Sequence, residues 1–438
     1  LKQAVRFCLG LFLTALMIFP ALSQDQSPPT TETAKKERLA AGIPLIYLQD
    51  TSSNITVLQF SIAGGQFAEP LDKSGLAYLA TRLTLVLPDR SKTQTIMDMA
   101  TQLLMTSYPD YTMVSMACLS QNLEESLKVL SEIMQDPLIS GIRISNNKEQ
   151  MERQIKSMQD DSENIIHQTA VALLFPQSRY ARSIYGTEDS LKKIKKKALK
   201  EFFKQYFRPS NMTAVVCSDL NKTAIVNLLN EYFTEFPDGD APLRPEFVLP
   251  EIDKQSETIE RDTQQTLIGL AYRLPPLNAR NYACAAMLEN LLGKGIGSRL
   301  WALREDKKLA YHVNARLNYF REGGVIEAYL ETETGKKETA QTELKKIMEQ
   351  IYASGIPEEE WASVQNYARA AFLRDNETKM QKVQTISFFE MTDLNYTFFY
   401  SLLEEMKNIS RDEFNAFLKK VLLPDRAVSI IIGPEVSN

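Results

Sequence analysis

The sequence predicts an α+β chain made of two repeats, each a mostly antiparallel sheet with helices on one face. Three observations carry this. Apolar stretches of strand length come as neighbours and do not alternate strictly with helices, which disfavours a parallel βαβ sheet. Long amphipathic helical stretches lie between them. Two long segments recur in the same order at nearly one spacing.

The repeat can be read residue by residue. In the first copy the strand-like YTMVSMACLS leads into the helical LEESLKVLSEIMQD and then Ser140-Gly141-Ile142. In the second, GGVIEAYLET leads into TAQTELKKIMEQ and then Ser354-Gly355-Ile356. Ile133-Met134 and Ile347-Met348 share the 214-residue offset of the two triplets. Further on, LKEFFKQYFRPSNMTAVVCSD pairs with FNAFLKKVLLPDRAVSIIIGP at an offset of 215, with Pro209 against Pro424. Other strands are read in IPLIYLQD and ITVLQFSIAGG of the first copy, and in TLIGLAYRL and LAYHVNARLNY of the second.

Lys2 and Arg6 precede the apolar run FCLGLFLTALMIFPAL and a small-residue exit, so residues 1–23 read as a secretory signal peptide. A retained membrane anchor is the alternative, opposed by the short run and by Pro20. Residues 24–37, with QSPPTTETAKK, read as a disordered leader. The stretch PDGDAPLRPEFVLPEIDKQ lacks apolar periodicity, and residues 237–256 read as a linker. It separates an N-terminal domain over 38–236 from a C-terminal domain over 257–438, both of ordinary size. The mature chain is expected in the periplasm, without a stable membrane anchor.

Composition is that of a globular protein, with 44% hydrophobic and 24% charged residues among 438. The formal charge of −5 becomes −7 once Lys2 and Arg6 are removed, a balance against nucleic acid as a partner. The run KKIKKKALK, from Lys192 to Lys200, faces EEMKNIS in the second copy and reads as a solvated helix face. Cys8 leaves with the signal, and Cys118, Cys217 and Cys284 read as buried free thiols. His167 and His312 have no His or acid at ligand spacing and read as structural or surface residues. No nucleotide loop, Ser/His/Asp set or Cys/His pair is spaced for another chemistry.

One helix raises a question of chemistry. In SGLAYLATRL, Leu76, Leu79, Ala80 and Leu83 form an apolar stripe, while Tyr78 and Arg82 stand one turn apart on another face. The stretch GGQFAEPLDKSGLAYLATRL resembles the opening of the insulinase/pitrilysin-type metallopeptidases, which include the mitochondrial processing peptidases. In that family the helix bears an inverted zinc motif, His-x-x-Glu-His. The resemblance puts the first His at Tyr78, the Glu at Thr81 and the second His at Arg82. The third ligand, a Glu of a later helix, falls at Gln154, and an earlier acid of the family pattern falls at Asn147. A guanidinium is a fixed cation and a Thr hydroxyl is no general base near neutral pH, so these positions imply a degenerate zinc site and no metal on this chain.

The second half contains LLGKGIGSRLWALREDKKLAYHV, similar to the family's second-domain segment. The resemblance makes Arg304 and Tyr311, seven residues apart, the substrate-contacting pair. It implies a mitochondrial-processing-peptidase-like fold. It also implies the non-catalytic, substrate-binding subunit of a heterodimeric zinc peptidase, with zinc on a homologous His-x-x-Glu-His partner and peptides as substrate. No peptidase activity is expected of this chain alone. The alternative is a pseudo-peptidase that binds peptides or serves as a scaffold.

Overall fold

A computed structural model describes residues 33–434 except 245–247, 250, 253, 254, 294 and 296. The predicted signal peptide, residues 1–23, and residues 24–32 of the predicted leader lie outside the described residues. The first half opens with β1 (Lys35–Arg38), β2 (Pro44–Gln49), β3 (Ile55–Ile62), α1 (Leu76–Leu83), α2 (Arg90–Asp98), β4 (Gln102–Ser107) and β5 (Thr112–Leu119). It continues with α3 (Leu123–Gln135), α4 (Gly141–Gln159), α5 (Ser162–Leu174), α6 (Glu188–Lys193), α7 (Lys196–Tyr206), β6 (Met212–Ser218) and α8 (Lys222–Tyr232). The second half opens with β7 (Gln255–Glu260), β8 (Gln265–Leu274), α9 (Ala279–Gly293), α10 (Trp301–Glu305), β9 (His312–Phe320) and β10 (Gly323–Glu333). Then come α11 (Lys337–Ser354), α12 (Glu358–Arg374), α13 (Lys379–Met391), α14 (Phe398–Asn408), α15 (Arg411–Val421) and β11 (Val428–Gly433).

The sheets run β1-β2-β6-β3-β5-β4 and β7-β11-β8-β10-β9. Apart from β1 the two orders match strand for strand, including the one parallel pair in each, β2 with β6 and β7 with β11. The fold is α+β, as the sequence predicts, and the duplication extends to topology.

Alternation along the strands explains how the layers stack. In β2, Leu45 and Tyr47 join Leu58 and Phe60 of β3 in a core with Leu79 and Leu83 of α1. Ile46 and Leu48 point the other way, with Val57 and Val215, and leaving them in water would forfeit about 1.5–3 kcal/mol per side chain. That face is covered from the second half: Val383 and Ile386 of α13 pack on it. Lys379 of the same helix donates to the carbonyls of Ser53 and Ile55 at 2.7 and 2.8 Å, and Lys382 meets Asp50 at 2.6 Å. The exchange is reciprocal. Ile166, Ala170, Val171 and Leu174 of α5 pack on Leu267, Val325, Tyr329 and Ile430 of the second sheet.

The structure differs from the predicted leader at its end. Lys35–Arg38 form an edge strand on β2, from Lys35 opposite Tyr47 to Arg38 opposite Pro44, and the Ala34 N–H donates to the Tyr400 hydroxyl at 3.0 Å. Four charged residues without apolar alternation carry no strand signal, and backbone pairing alone places them. The lysines of KKIKKKALK lie on the exposed surface and the three cysteines are buried and free, both as read from the sequence.

A buried carboxylate joins the halves. Asp110, in the β4–β5 turn, is 2% exposed. It accepts from the Tyr180 hydroxyl at 3.0 Å, from the Arg321 N–H at 2.7 Å and from the Arg244 guanidinium, which also lies over the Phe67 ring. Tyr180 in turn stacks on Phe320 at 4.1 Å. Asp110→Ala would leave Arg244 without its anion and is expected to cost about 3 kcal/mol, the scale of breaking a buried ion pair from one side. Urea unfolding of the variant beside the parent measures it; an unchanged midpoint would remove the clasp from the account of stability.

Candidate functional site

Gly75 enters α1 at φ +89°, and a Cβ there would lie 2.6 Å from the Tyr185 carbonyl oxygen, so backbone runs against backbone. Leu76, Leu79, Ala80 and Leu83 are buried, as their spacing predicts. That packing leaves Arg82 and Tyr78 at the side facing α4, with Tyr78 also resting on the rim of the core.

Tyr78, Arg82 and Gln154 come together. With Gln150, Met151, Arg153 and Ser157 they line a hollow of about 360 Å³ between α1 and α4. Thr81 does not join them: it is fully buried, and its hydroxyl donates to the Ala77 carbonyl at 2.9 Å. Arg82 donates from Nε to Asn147 Oδ1 at 2.8 Å and from Nη2 to Gln150 Oε1. Asn147 donates on to the Arg143 carbonyl at 2.8 Å, and Arg143 donates to the carbonyls of Val86 and Pro88 at 3.1 Å. A polar chain thus fastens α4 to α1 and to the turn beyond it. Tyr78 sets its ring edge against Tyr185 at 4.7 Å.

These residues do not fit zinc. The hollow offers no carboxylate, imidazole or thiolate, and a guanidinium stands where a ligand would. Among the described residues no group of three or more His, Cys, Asp or Glu is placed to hold a metal ion.

The second-half pair sits elsewhere. Arg304, on α10, lies over the Trp301 ring at 4.9 Å with its Nε 3.5 Å from Glu305. The Tyr311 backbone N–H donates to the Glu331 carbonyl at 2.9 Å as β9 begins, and its hydroxyl donates to Glu333 at 2.8 Å. That bond to Glu333 raises the Tyr311 pKa. Both side chains are about half exposed, and neither lines the Arg82 hollow.

Two arrangements escape local sequence spacing. His167 of α5 lies with Nδ1 2.6 Å from Glu327 of β10 and Nε2 2.9 Å from the Asn318 amide nitrogen of β9. Its acid partner is 160 residues away, so no spacing rule reveals it. His312 is half exposed, with Glu163 at 3.8 Å. Glu69 is the second case: it is 2% exposed and accepts from the N–H groups of Ala77 and Gly75 at 2.8 and 3.1 Å, capping α1.

Burial pushes the Glu69 carboxyl up to about 8, and the two N–H donors with Arg182 and Arg179 offset only part of that. The folded chain therefore keeps a proton that the unfolded chain releases near pH 4.5. Its contribution to stability falls as pH rises from about 4.5 to about 8 and then levels off. Glu69→Gln is expected to remove this slope, read as urea midpoints at several pH values across the window. An identical slope in the variant would assign it to other groups.

Comparisons with known proteins agree with this geometry. Residues 45–188 match the family model described as Insulinase (Peptidase family M16), and residues 193–367 match Peptidase M16 inactive domain. The chain is similar to the non-peptidase homologue YmxG of Helicobacter pylori, 24% identical over 387 residues that cover 86% of this chain and 89% of that protein. Among solved structures it resembles a peptidase M16 inactive domain from Pseudomonas fluorescens, with a TM-score of 0.84 at 18% identity, covering 92% of this chain and 98% of that one. It also resembles a protease from Helicobacter pylori, with a TM-score of 0.83 at 16% identity, covering 92% and 99%. Two models of one family, the first spanning α1 and α4 and the second reaching through Arg304 and Tyr311 into α12, place the chain in peptidase family M16, the insulinase family.

Proposed function

We propose that this chain is the non-catalytic, substrate-binding subunit of a periplasmic heterodimeric zinc peptidase acting on peptides or unfolded polypeptides. The observation that carries it is the asymmetry between the halves. Where the family places zinc, Arg82 is bound to Asn147 and Gln150, whereas Arg304 and Tyr311 keep their spacing and remain at the surface, where another chain can reach them. Tyr311 would turn its hydroxyl from Glu333 to the oxyanion developing on the scissile carbonyl, and Arg304 would hold a peptide carbonyl or carboxylate with its fork of donors. Zinc would be carried by a homologous His-x-x-Glu-His subunit. The signal-peptide reading supports export, and no helix among the described residues is long and apolar enough to cross a membrane.

One observation favours the second reading, a peptide-binding or scaffolding pseudo-peptidase. The Tyr311 hydroxyl is already engaged by Glu333, which Lys336 also holds at 3.0 Å, so an oxyanion must displace a formed hydrogen bond.

The two readings part on cleavage by the chain purified from its native compartment, with and without chelator. Chelator-sensitive cleavage is expected, through a co-purifying zinc subunit. Tyr311→Phe should then lower kcat by about 10²-fold with little change in KM, the scale of one lost oxyanion donor. Unaltered turnover in that variant would exclude Tyr311 from the reaction, and a well-folded preparation without cleavage would favour the scaffold.

A further inference from the structure

Arg82 carries a charge that its surroundings do not answer. Both of its hydrogen-bond acceptors, Asn147 Oδ1 and Gln150 Oε1, are neutral amides. Arg82 forms no ion pair among the described residues. The two bonds also occupy only one edge of the guanidinium, the edge formed by Nε and Nη2. The other edge, Nη1 with the second N–H of Nη2, has no protein partner among the described residues. Two parallel N–H donors on one edge are the arrangement that grips a carboxylate bidentately. Because the first edge is fastened to α4, the second is held in place before any ligand arrives.

The rest of the hollow supplies donors and no acid. Tyr78 and Ser157 contribute hydroxyls and Gln154 an amide, and none of these side chains has a hydrogen-bond partner among the described residues. Arg153 adds a second guanidinium, but Glu149 pairs with it on the open helix surface. The net charge facing the hollow is therefore close to that of Arg82 alone, which suits a monoanion better than a phosphate dianion.

We propose that the hollow between α1 and α4 has changed the sign of its ligand, and that it binds the C-terminal carboxylate of a peptide on the free edge of Arg82. The anion site stands on the geometry alone. That its ligand is a peptide rests on the peptide-binding reading above.

The test uses the full chain and two labelled peptides without acidic side chains, identical except that one ends in a free carboxylate and the other in an amide. Fluorescence anisotropy is expected to show the free acid binding about tenfold tighter or more, the scale of a charge-assisted bidentate contact. The informative variant is Gln150→Glu, which keeps the acceptor for Arg82 and supplies the missing anion at an exposed position. It should abolish the preference while thermal melting stays at or above that of the parent; Arg82→Lys, which keeps charge and loses the fork, should weaken it. Equal binding of both peptides, or a preference that survives Gln150→Glu, overturns the carboxylate site and leaves peptide binding standing. Competition adds the ligand class: acetate should displace the free-acid peptide, and stronger displacement by inorganic phosphate would overturn the monocarboxylate assignment. If neither peptide binds, the peptide reading fails, and the Arg82 Nε–H resonance under added acetate judges the anion site directly. A shift there supports an anion site for a ligand that is not a peptide, and no shift overturns the site as well.

Discussion

The structure depends on one constraint: each sheet is apolar on both faces, and each half supplies enough helices for only one of them. Ile46, Leu48, Val57 and Val215 on the first sheet, and Val325, Tyr329 and Ile430 on the second, must be covered by something. The solution is an exchange between equivalent positions of the repeat, α13 over the first sheet and α5 over the second. Neither half can bury its own far face, so the duplication is also a mutual dependence. The polar contacts follow the same rule. Lys379, Lys382 and the Asp110 clasp all cross between halves, and they satisfy backbone and carboxylate oxygens that the exchange encloses.

This constraint separates the stability of α1 from the chemistry on its far side. The helix is held by Leu76, Ala77, Leu79, Ala80 and Leu83 in the first core and by the Glu69 carboxyl at its N-terminus. None of these touches the hollow. Arg82 can therefore vary without disturbing the helix that carries it. What a metal would do structurally, joining α1 to α4, is done here by the chain from Arg82 through Asn147 to Arg143 and the carbonyls of Val86 and Pro88. The bonds donated by Arg82 and Arg143 have a charged donor and are worth about 1.5–3 kcal/mol each where desolvated, and the link from Asn147 to the Arg143 carbonyl joins neutral groups.

Much of the fold could be read from the sequence because the relevant signals repeat. Two copies of a strand–helix–strand pattern at one offset led to two matching sheets, and the stripe of Leu76, Leu79, Ala80 and Leu83 gave the buried side of α1. Tyr78, Arg82 and Gln154 were brought together by an alignment to known ligand positions, not by periodicity, and the structure does place them around one hollow. Other features could not be seen in this way. The exchange of α5 and α13 depends on which face of a sheet remains uncovered, a property of the assembled halves. The pairing of His167 with Glu327 joins residues 160 positions apart, and β1 is a strand only because β2 leaves an open edge. Gln150, which shares Arg82 with Asn147, lies one turn from Gln154 on α4, and only the packed geometry distinguishes the two roles.

The sign of a binding site is set by few atoms when the scaffold is committed elsewhere. A zinc site needs anionic or lone-pair donors converging on a point, and its helix must hold them against their mutual repulsion. Arg82 instead places a cation in the hollow, and amides at Asn147 and Gln150 orient it without cancelling it. Carboxylates at those two positions would have closed the hollow into an internal ion pair, stabilising the α1–α4 contact and leaving nothing to recognise. Neutral acceptors do the opposite: they spend hydrogen bonds on orientation and leave the charge available. The choice of Asn and Gln beside Arg82 is therefore what leaves its charge available to the proposed anion.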